Sequence, residues 1–230
     1  PGDDAATIDI RGYGRPLVIV DEIVRDFSQI DANDIDTISI LKDTSASVYG
    51  FKGANGVILV TTKKGEINKP KISYNGYIGF QTETRFAKLF NSYQYASLYN
   101  EAQLNVGVRA PYTQEELEKY KAGNAPDYPD NNWWDLMTRD LTPQMYHNVS
   151  VSGDAEKVKY YCSVGDMHQE GICASKEEKF NRYNVRSNIN AEIVKGLTVA
   201  LQLHGRLDNR NLPNDAGRFH TYFKVHPNVP

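Results

Sequence analysis

The apolar positions of the first 70 residues predict a compact α/β unit. Residues 16–20 are apolar on both faces, a pattern typical of a strand that is buried on both sides. Residues 57–62 repeat that pattern, whereas residues 7–12 and 37–40 alternate apolar and polar side chains, as half-buried strands do. The order of these segments predicts several short strands joined by tight turns.

The segment between the last two of these strands predicts a short helix followed by a glycine turn. Asp43, Thr44 and Ser45 are residue types that cap helix N-termini, and Gly50 is the type that ends a helix. Gly53-Ala54-Asn55-Gly56 then supplies a tight turn, because glycine and asparagine tolerate a positive φ. We therefore expect a strand, a short helix, a turn and a strand in close succession.

After Pro70 the pattern changes. Residues 91–122 have helical character, and residues 153–156 predict a hairpin turn. Most of the remaining chain alternates with a period of two, which is typical of strands. The five candidate strands are residues 71–84, 146–153, 157–166, 182–192 and 197–207.

The candidate strand at 182–192 has two chemically different faces. Arg182, Arg186 and Asn188 lie on one face, and Tyr183 and Val185 lie on the other. Segments of about ten residues with this alternation suit the strands of a transmembrane β-barrel. A soluble sandwich gives the same alternation, so periodicity leaves both architectures open.

Composition and charge exclude several classes of protein. The 230 residues are 40% hydrophobic and 24% charged, which is typical of a folded chain. The formal net charge of −3 argues against non-specific nucleic-acid binding. No apolar run is long enough for a membrane-spanning helix, and the sequence shows no signal peptide. Cys162 and Cys173 lack metal-ligand spacing, and free thiols are the simpler expectation than a disulfide.

The sequence carries no recognisable catalytic or cofactor motif. The glycine-rich stretch 50–56 lacks the Gly-Lys-Ser/Thr ending of a phosphate-binding loop. The five histidines do not have the spacing of a metal site, and no nucleophile elbow occurs. We therefore expect no enzyme activity, no catalytic residues, no cofactor and no metal.

Three stretches carry a specific resemblance. They read PLVIVDEIV from residue 16, DIDTISILKDTSASVYGFKGANGVILVTTKKG from residue 34, and KPKISYNGYIGFQ from residue 69. Together with Ile10-Arg11-Gly12 they closely resemble the plug domain of TonB-dependent outer-membrane transporters. The narrower resemblance is to the SusC/RagA class, and it extends into the later strand segments.

The resemblance implies a fold and a domain organisation. The implied fold class is an α+β plug domain, a mixed sheet with short helices, followed by antiparallel strands of an incomplete transmembrane β-barrel. We expect the plug at residues 1–70 and the N-terminal part of the barrel at residues 71–230, with a helical and loop insertion at about 91–140. A plugged barrel of this kind has about 22 strands, so five candidate strands imply a fragment.

The resemblance also implies a function. It predicts part of a SusC-like transporter that imports glycans or other nutrients, peptides included, across the outer membrane of a Bacteroidetes-like Gram-negative cell. In such proteins the plug closes the barrel lumen until TonB pulls it. The implied partners are a SusD-like surface lipoprotein, the glycan or peptide substrate, outer-membrane lipid and TonB, but no nucleic acid.

TonB would act through an N-terminal segment that is not visible before Thr7. We therefore expect the TonB C-terminal domain not to bind this chain in calorimetry.

Several residues of the plug motif are expected to serve structural and mechanical roles. Arg11 and Asp21 are expected as buried polar anchors, and Lys42 and Asp43 as the corner between strand and helix. The remaining motif residues, most of them expected to set backbone geometry, are Gly12, Tyr49, Gly50, Gly53, Asn55 and Gly56.

The sequence departs from the family pattern at two places. Glu22 stands where relatives usually have glycine after the aspartate, and only three residues separate Gly12 from Pro16. A soluble β-rich binding or adhesion module derived from a plug remains the alternative. Apolar strand faces that need detergent, lipid or a partner would distinguish the transporter from that module.

Overall fold

The first sheet has four strands and forms the expected α/β unit. The computed structural model describes residues 8–10, 12, 14–65, 70–84, 88–212 and 224–229. The strands are β1 (Leu17–Val20), β2 (Ile23–Val24), β3 (Ile35–Leu41) and β4 (Val57–Thr62). Their order is β2-β1-β4-β3, with β1 parallel to β4 and the other two pairs antiparallel. The doubly apolar segments are the two central strands, which confirms their prediction.

Both faces of this central pair are covered by apolar side chains. Val20, Ile58 and Val60 form one buried cluster with Ile10. A second cluster, around Ile19, Ala46 and Val57, lies under the connection that follows β3. The strand predicted over residues 7–12 is not found in its described part, since residues 8–10 are irregular. Ile10 instead contributes its side chain to the core.

The connection from β3 to β4 consists of 3₁₀ turns. These turns span Asp43–Ser45 and Ser47–Gly53. The N-cap of the first turn is Lys42, so the expectation that Asp43, Thr44 or Ser45 fills that position is wrong. Gly50 interrupts the second turn with a φ of 62° and a ψ of −151°, a conformation that only glycine adopts readily.

The second sheet contains the five later strands. They are β5 (Lys71–Gln81), β6 (Thr142–Ala155), β7 (Val158–Glu170), β8 (Lys179–Val194) and β9 (Leu197–Asn211), arranged in sequence order. The register pairs Ala155 with Val158, so the β6–β7 turn is Glu156–Lys157. The hairpin predicted at residues 153–156 is therefore displaced, because Gly153 still pairs with Tyr160 inside the ladder.

Tertiary contacts divide the chain into two compact units. One unit contains the first sheet and nearly all of β5–β9. The other contains residues 80–142, 170–179 and the C-terminal residues from 211. Its helices are α1 (Ser92–Asn105), α2 (Gln114–Ala122) and α3 (Trp133–Met137), which confirms the helical character predicted for 91–122.

The predicted fold class, a mixed sheet with short helices followed by antiparallel strands, is confirmed. The predicted domain boundary at residue 70 stays a prediction. Within the described ranges, no helix is both long enough and apolar enough to span a bilayer.

Candidate functional site

The polar face of the second sheet is the buried one. On β8, Asn184, Arg186 and Asn188 are only 5%, 3% and 1% exposed. Their neighbours Tyr183 and Val185 are 45% and 51% exposed. This is the reverse of the usual arrangement in a water-soluble protein, where the apolar face is buried. We call the polar side the inner face and the apolar side the outer face.

β6 and β7 follow the same rule, whereas β5 and β9 are largely exposed on both faces. Tyr146 and Asn148 on β6 and Tyr161 and Ser163 on β7 are buried on the inner face. On β9 every large apolar side chain of the outer face is 48–57% exposed: Leu197, Val199, Leu201, Leu203 and Leu207. The inner face is buried because it contacts polar groups of the first sheet and its connections.

Asp34 is the most extensively shared of these groups. It lies in a 3₁₀ turn, Ala32–Asp34, just before β3, and is 1% exposed. Its Oδ1 accepts hydrogen bonds from Tyr161 at 2.9 Å and from Ser163 at 2.5 Å. Its Oδ2 accepts from Nε of Arg186 at 3.2 Å. Three inner-face side chains on two strands therefore converge on one carboxylate.

Asp31 forms a second buried carboxylate centre. Its side chain caps the same 3₁₀ turn by accepting a hydrogen bond from the Asn33 amide at 2.9 Å. The Tyr146 hydroxyl lies 2.6–2.7 Å from both carboxylate oxygens, and Asn184 donates to Oδ2 at 3.2 Å. Asp31 thus combines a local capping role with long-range bonds to β6 and β8.

The third centre joins Asp21 to Thr62. Asp21 accepts hydrogen bonds from the Thr62 amide at 2.9 Å and from its hydroxyl at 2.6 Å. The same hydroxyl accepts from Arg186 at 3.3 Å and from Asn188 at 2.9 Å. Nη1 of Arg186 lies 3.6 Å from the Asp21 carboxylate.

Arg186 therefore links two carboxylates of the first-sheet region to the second sheet. Buried charges are tolerated only when they are paired and hydrogen-bonded, and removing one partner is strongly destabilising. The planar guanidinium suits this position, because its donors point in fixed directions toward several acceptors at once. We call the three aspartates, Thr62 and their inner-face partners the polar interface.

Of the predicted site residues that the structure describes, Asp21 is the one that lies in this interface. Arg11 lies outside the described residues. Gly12 has a φ of +77° and open space around it. Lys42 and Asp43 stand at the corner after β3, where both are exposed and Asp43 has a φ of 53°.

The remaining predicted residues support the backbone of the first sheet. A Cβ on Gly53 would lie 2.6 Å from the Ala46 carbonyl oxygen. Gly56 has a φ of +93°, and a Cβ there would lie 2.8 Å from Ile10. Asn55 donates to the Arg15 carbonyl at 3.4 Å, and the half-buried Tyr49 packs against the cluster around Ile19.

Sequence reasoning missed Asp31, Asp34 and Thr62 as site residues. By residue type, the Asp- and Asn-rich segment from residue 31 predicts only a turn, a role that Asp31 also fills. The inner face itself carries a usable signal. Three strands have Tyr, Ser, Asn and Arg at alternate positions, and such a face needs hydrogen-bond acceptors when it is buried.

The cysteines and potential metal ligands add no further centre. Both Cys162 and Cys173 are free thiols, as expected. In the part of the chain that the structure describes, no group of three or more His, Cys, Asp or Glu side chains could hold a metal ion.

Comparisons with known proteins show which proteins this chain is similar to. Residues 1–57 match the family described as TonB-dependent Receptor Plug Domain. A TonB-dependent receptor of Formosa agariphila is 33% identical over 213 residues, which cover 88% of this chain and 20% of that protein. The TonB-dependent receptor SusC of Bacteroides thetaiotaomicron is 28% identical over 186 residues, covering 76% of this chain and 17% of SusC.

A solved structure shows the same relationship. The structure of the RagAB peptide transporter superposes with a TM-score of 0.72 at 25% identity, covering 89% of this chain and 26% of that one. The predicted resemblance to TonB-dependent transporters of the SusC/RagA class is confirmed by these matches. The chain spans about a fifth of the length of the curated relatives that it matches.

Proposed function

We propose that this chain forms the plug and the first wall strands of a SusC-like TonB-dependent transporter in the outer membrane. We place the plug at residues 1–70, which contain the first sheet, and the wall in β5–β9. The orientation of the wall strands carries the proposal. On β6–β8 the polar side chains are buried against the plug, whereas large apolar side chains of the outer face, such as Val164, Val185 and Leu201, are exposed.

An exposed apolar face of this extent suits lipid better than water. Contiguous apolar patches on soluble monomers rarely exceed a few hundred Å². The wall strands are 11–16 residues long, and a tilted strand needs about 9–11 residues to cross the hydrocarbon core. The soluble adhesion module would have to cover the same face with another partner.

The connections between wall strands also fit an outer-membrane protein. β6–β7 and β8–β9 are joined by two-residue turns, at residues 156–157 and 195–196. The β5–β6 connection, residues 82–141, is far longer, and β7–β8 are joined by residues 171–178. Outer-membrane barrels have short periplasmic turns and longer extracellular loops. We therefore assign the two-residue turns to the periplasmic side.

The polar interface gives the plug a mechanism for closing the lumen. Hydrogen bonds and an ion pair connect the plug to the wall. Such bonds can be exchanged for water when the plug is pulled, whereas an apolar contact would expose its surface to water. We infer that TonB supplies the pull and that a SusD-like lipoprotein closes the outer side.

The cargo is proposed as glycan or peptide. One relative is SusC, and one structural neighbour is a peptide transporter by its description. The relatives are receptors and transporters, which supports transport without catalysis and without a nucleic-acid partner.

Detergent dependence tests the membrane assignment. The purified chain is passed over a size-exclusion column with light scattering, once in plain buffer and once in dodecyl maltoside. We expect a monodisperse species only in detergent, because the outer face needs an apolar cover. A stable monomer in plain buffer would favour the soluble module.

A further inference from the structure

One cavity at the edge of the polar interface is not explained by plug retention. It has a volume of about 280 Å³ and lies between the plug residues 30–33 and the inner face of the wall. The inner-face residues around it include Tyr77, Tyr146, Arg182 and Arg206. A space of this size holds one amino-acid residue or one sugar ring rather than a large ligand.

The carboxylate in this cavity is already saturated. Asp31 accepts hydrogen bonds from the Tyr146 hydroxyl, from Asn184 and from both nitrogens of Asn33. These donors stabilise its charge without an arginine partner. Asp31 therefore leaves the cavity's positive groups available for another anion.

Arg182 and Arg206 both bind the carboxylate of Asp208, but Arg206 makes more of the contacts. Arg206 binds Asp208 through Nε at 2.9 Å and Nη2 at 2.5 Å, and its Nη1 donates to the Ser28 carbonyl oxygen. Arg182 reaches Asp208 through Nε alone, at 3.2 Å. Among the described residues, the two terminal nitrogens of Arg182 have no hydrogen-bond acceptor.

Arg182 is also held in place for a ligand. Its guanidinium lies 5.0 Å from the ring centroid of Phe180, and its side chain is 23% exposed. Arg182, Arg206 and Asp208 together carry one excess positive charge, which the hydrogen-bonded Asp31 carboxylate of the same cavity balances formally. Paired terminal nitrogens on a fixed guanidinium match the two oxygens of a carboxylate.

The cavity also offers an apolar surface beside this charge. The rings of Tyr77 and Tyr146 are stacked at 5.6 Å, and Met167 lies on the same lining. An aliphatic side chain and the apolar face of a sugar ring can both pack on such a surface. The site therefore combines an anion-binding edge with a hydrophobic wall.

We propose that Arg182 binds the carboxylate of a transported solute in this cavity, with the Tyr77–Tyr146 pair against the rest of the molecule. This inference rests on the proposed function. Arg182 stands three residues after the start of β8, and Asp208 stands three before the end of β9. Both positions are at the strand ends away from the two-residue turns, the side from which solute would enter.

Calorimetry on the purified chain in dodecyl maltoside tests the site. The probes are trialanine and digalacturonate, each compared with a neutral form, trialanine amide and the digalacturonate dimethyl ester. We expect at least one acid to bind, with its neutral form at least about tenfold weaker, because a charge-assisted pair is lost. Binding of only one acid identifies a peptide or an acidic sugar as the source of the carboxylate.

Variants locate the binding to Arg182. Arg182→Gln should weaken binding of the acidic probe by the same factor. The affinity of Arg182→Lys should lie between those of the unmodified protein and Arg182→Gln, because lysine keeps the charge without the planar pair of donors. Arg210→Gln is the matched control, since Arg210 is also near Phe180 but does not line the cavity. It should bind as the unmodified protein does.

Three results would overturn the inference: no acid binding up to about 10 mM, equal binding of acid and neutral forms, or unchanged binding by Arg182→Gln. The size-exclusion comparison in plain buffer and in dodecyl maltoside separates this failure from failure of the proposed function. If the chain binds the carboxylate but is monomeric without detergent, the Arg182 site is supported and the proposed transporter function is excluded. A detergent-dependent protein that binds no acid would exclude only the site.

Discussion

Arg186 of the wall and Asp34 of the plug form a buried ion pair at 3.2 Å, with both side chains no more than 3% exposed. The two residues are 152 positions apart in the chain. Because Arg186 also approaches Asp21, one wall residue holds the start of β3 and the end of β1 at the same time. Arg186 is therefore the buried cation that pairs with two carboxylates of the plug at once.

Removing the Arg186 cation should strongly lower the free energy of unfolding. Arg186→Gln leaves two carboxylates without their shared partner, and we expect a loss of about 3–5 kcal/mol in the free energy of unfolding. Urea denaturation in detergent measures the change. The control is Arg182→Gln on the same strand, whose ion pair is partly exposed and should contribute no more than about 1 kcal/mol. Equal losses in the two variants would refute the central role of Arg186.

Gly53 should not tolerate a methyl group. Gly53→Ala places Cβ 2.6 Å from the Ala46 carbonyl oxygen and 3.2 Å from Val57. The connection must shift, and we expect a destabilisation of about 1–3 kcal/mol in thermal unfolding. Gly79→Ala is the matched control, because nothing lies within 4 Å of its Cβ position. A Gly53→Ala variant as stable as the control would show that the close approach is relaxed.

The turn between β1 and β2 carries a correctable strain. Asp21 and Glu22 have φ values of 48° and 73°, in the left-handed region that favours glycine. Glu22→Gly should stabilise the fold by about 0.5–1 kcal/mol, the difference between relieved strain and added chain entropy.

Asp21→Gly relieves the same strain but removes the two hydrogen bonds from Thr62. We expect it to destabilise by more than about 1.5 kcal/mol. Chemical denaturation of both variants gives the comparison. A change of the same sign in the two would mean that the Asp21 side chain contributes little.

Helix α2 should weaken in acid. The pKa of Glu116 lies below its ordinary value of 4.5, because the carboxylate accepts hydrogen bonds from the Thr113 amide and then from its hydroxyl. A carboxyl group with a lowered folded pKa stabilises above its unfolded pKa and loses that contribution as the pH falls through the folded pKa. Hydrogen-exchange protection in α2, corrected for intrinsic rates, should therefore decline below pH 4.5.

Glu116→Gln removes the titrating group and should abolish that decline. Glu118→Gln is the control on the same helix and should retain it. Protection that falls identically in both variants would assign the pH dependence to another group.

Local patterns predicted the elements better than the contacts between them. β1 and β4 followed from runs of apolar residues, and the alternation of residues 182–192 identified β8. Alternation alone cannot say which face of a strand is buried, because that depends on the solvent of each side. The usual preference for apolar interiors would have buried Tyr183 and exposed Arg186, the reverse of what is found.

The polar interface was unpredictable for a different reason. Asp31 and Asp34 have local sequence signals for a turn, and their partners lie more than a hundred residues away. Nothing in a single sequence specifies which wall residue meets which aspartate. The plug motif predicted the scaffold that presents these carboxylates, whereas the pairing follows from the register of β6–β8 against it.

Spin labels on two adjacent residues of β9 test the central claim most directly. With both native cysteines replaced by serine, a nitroxide is placed at Leu201 on the outer face or at Gln202, which lines an inner cavity of about 600 Å³. In lipid vesicles, the label at Leu201 should collide more with oxygen than with a water-soluble nickel chelate, and the label at Gln202 should show the opposite. Stronger collisions with the nickel chelate at Leu201 would contradict the account, because that face would then be in water.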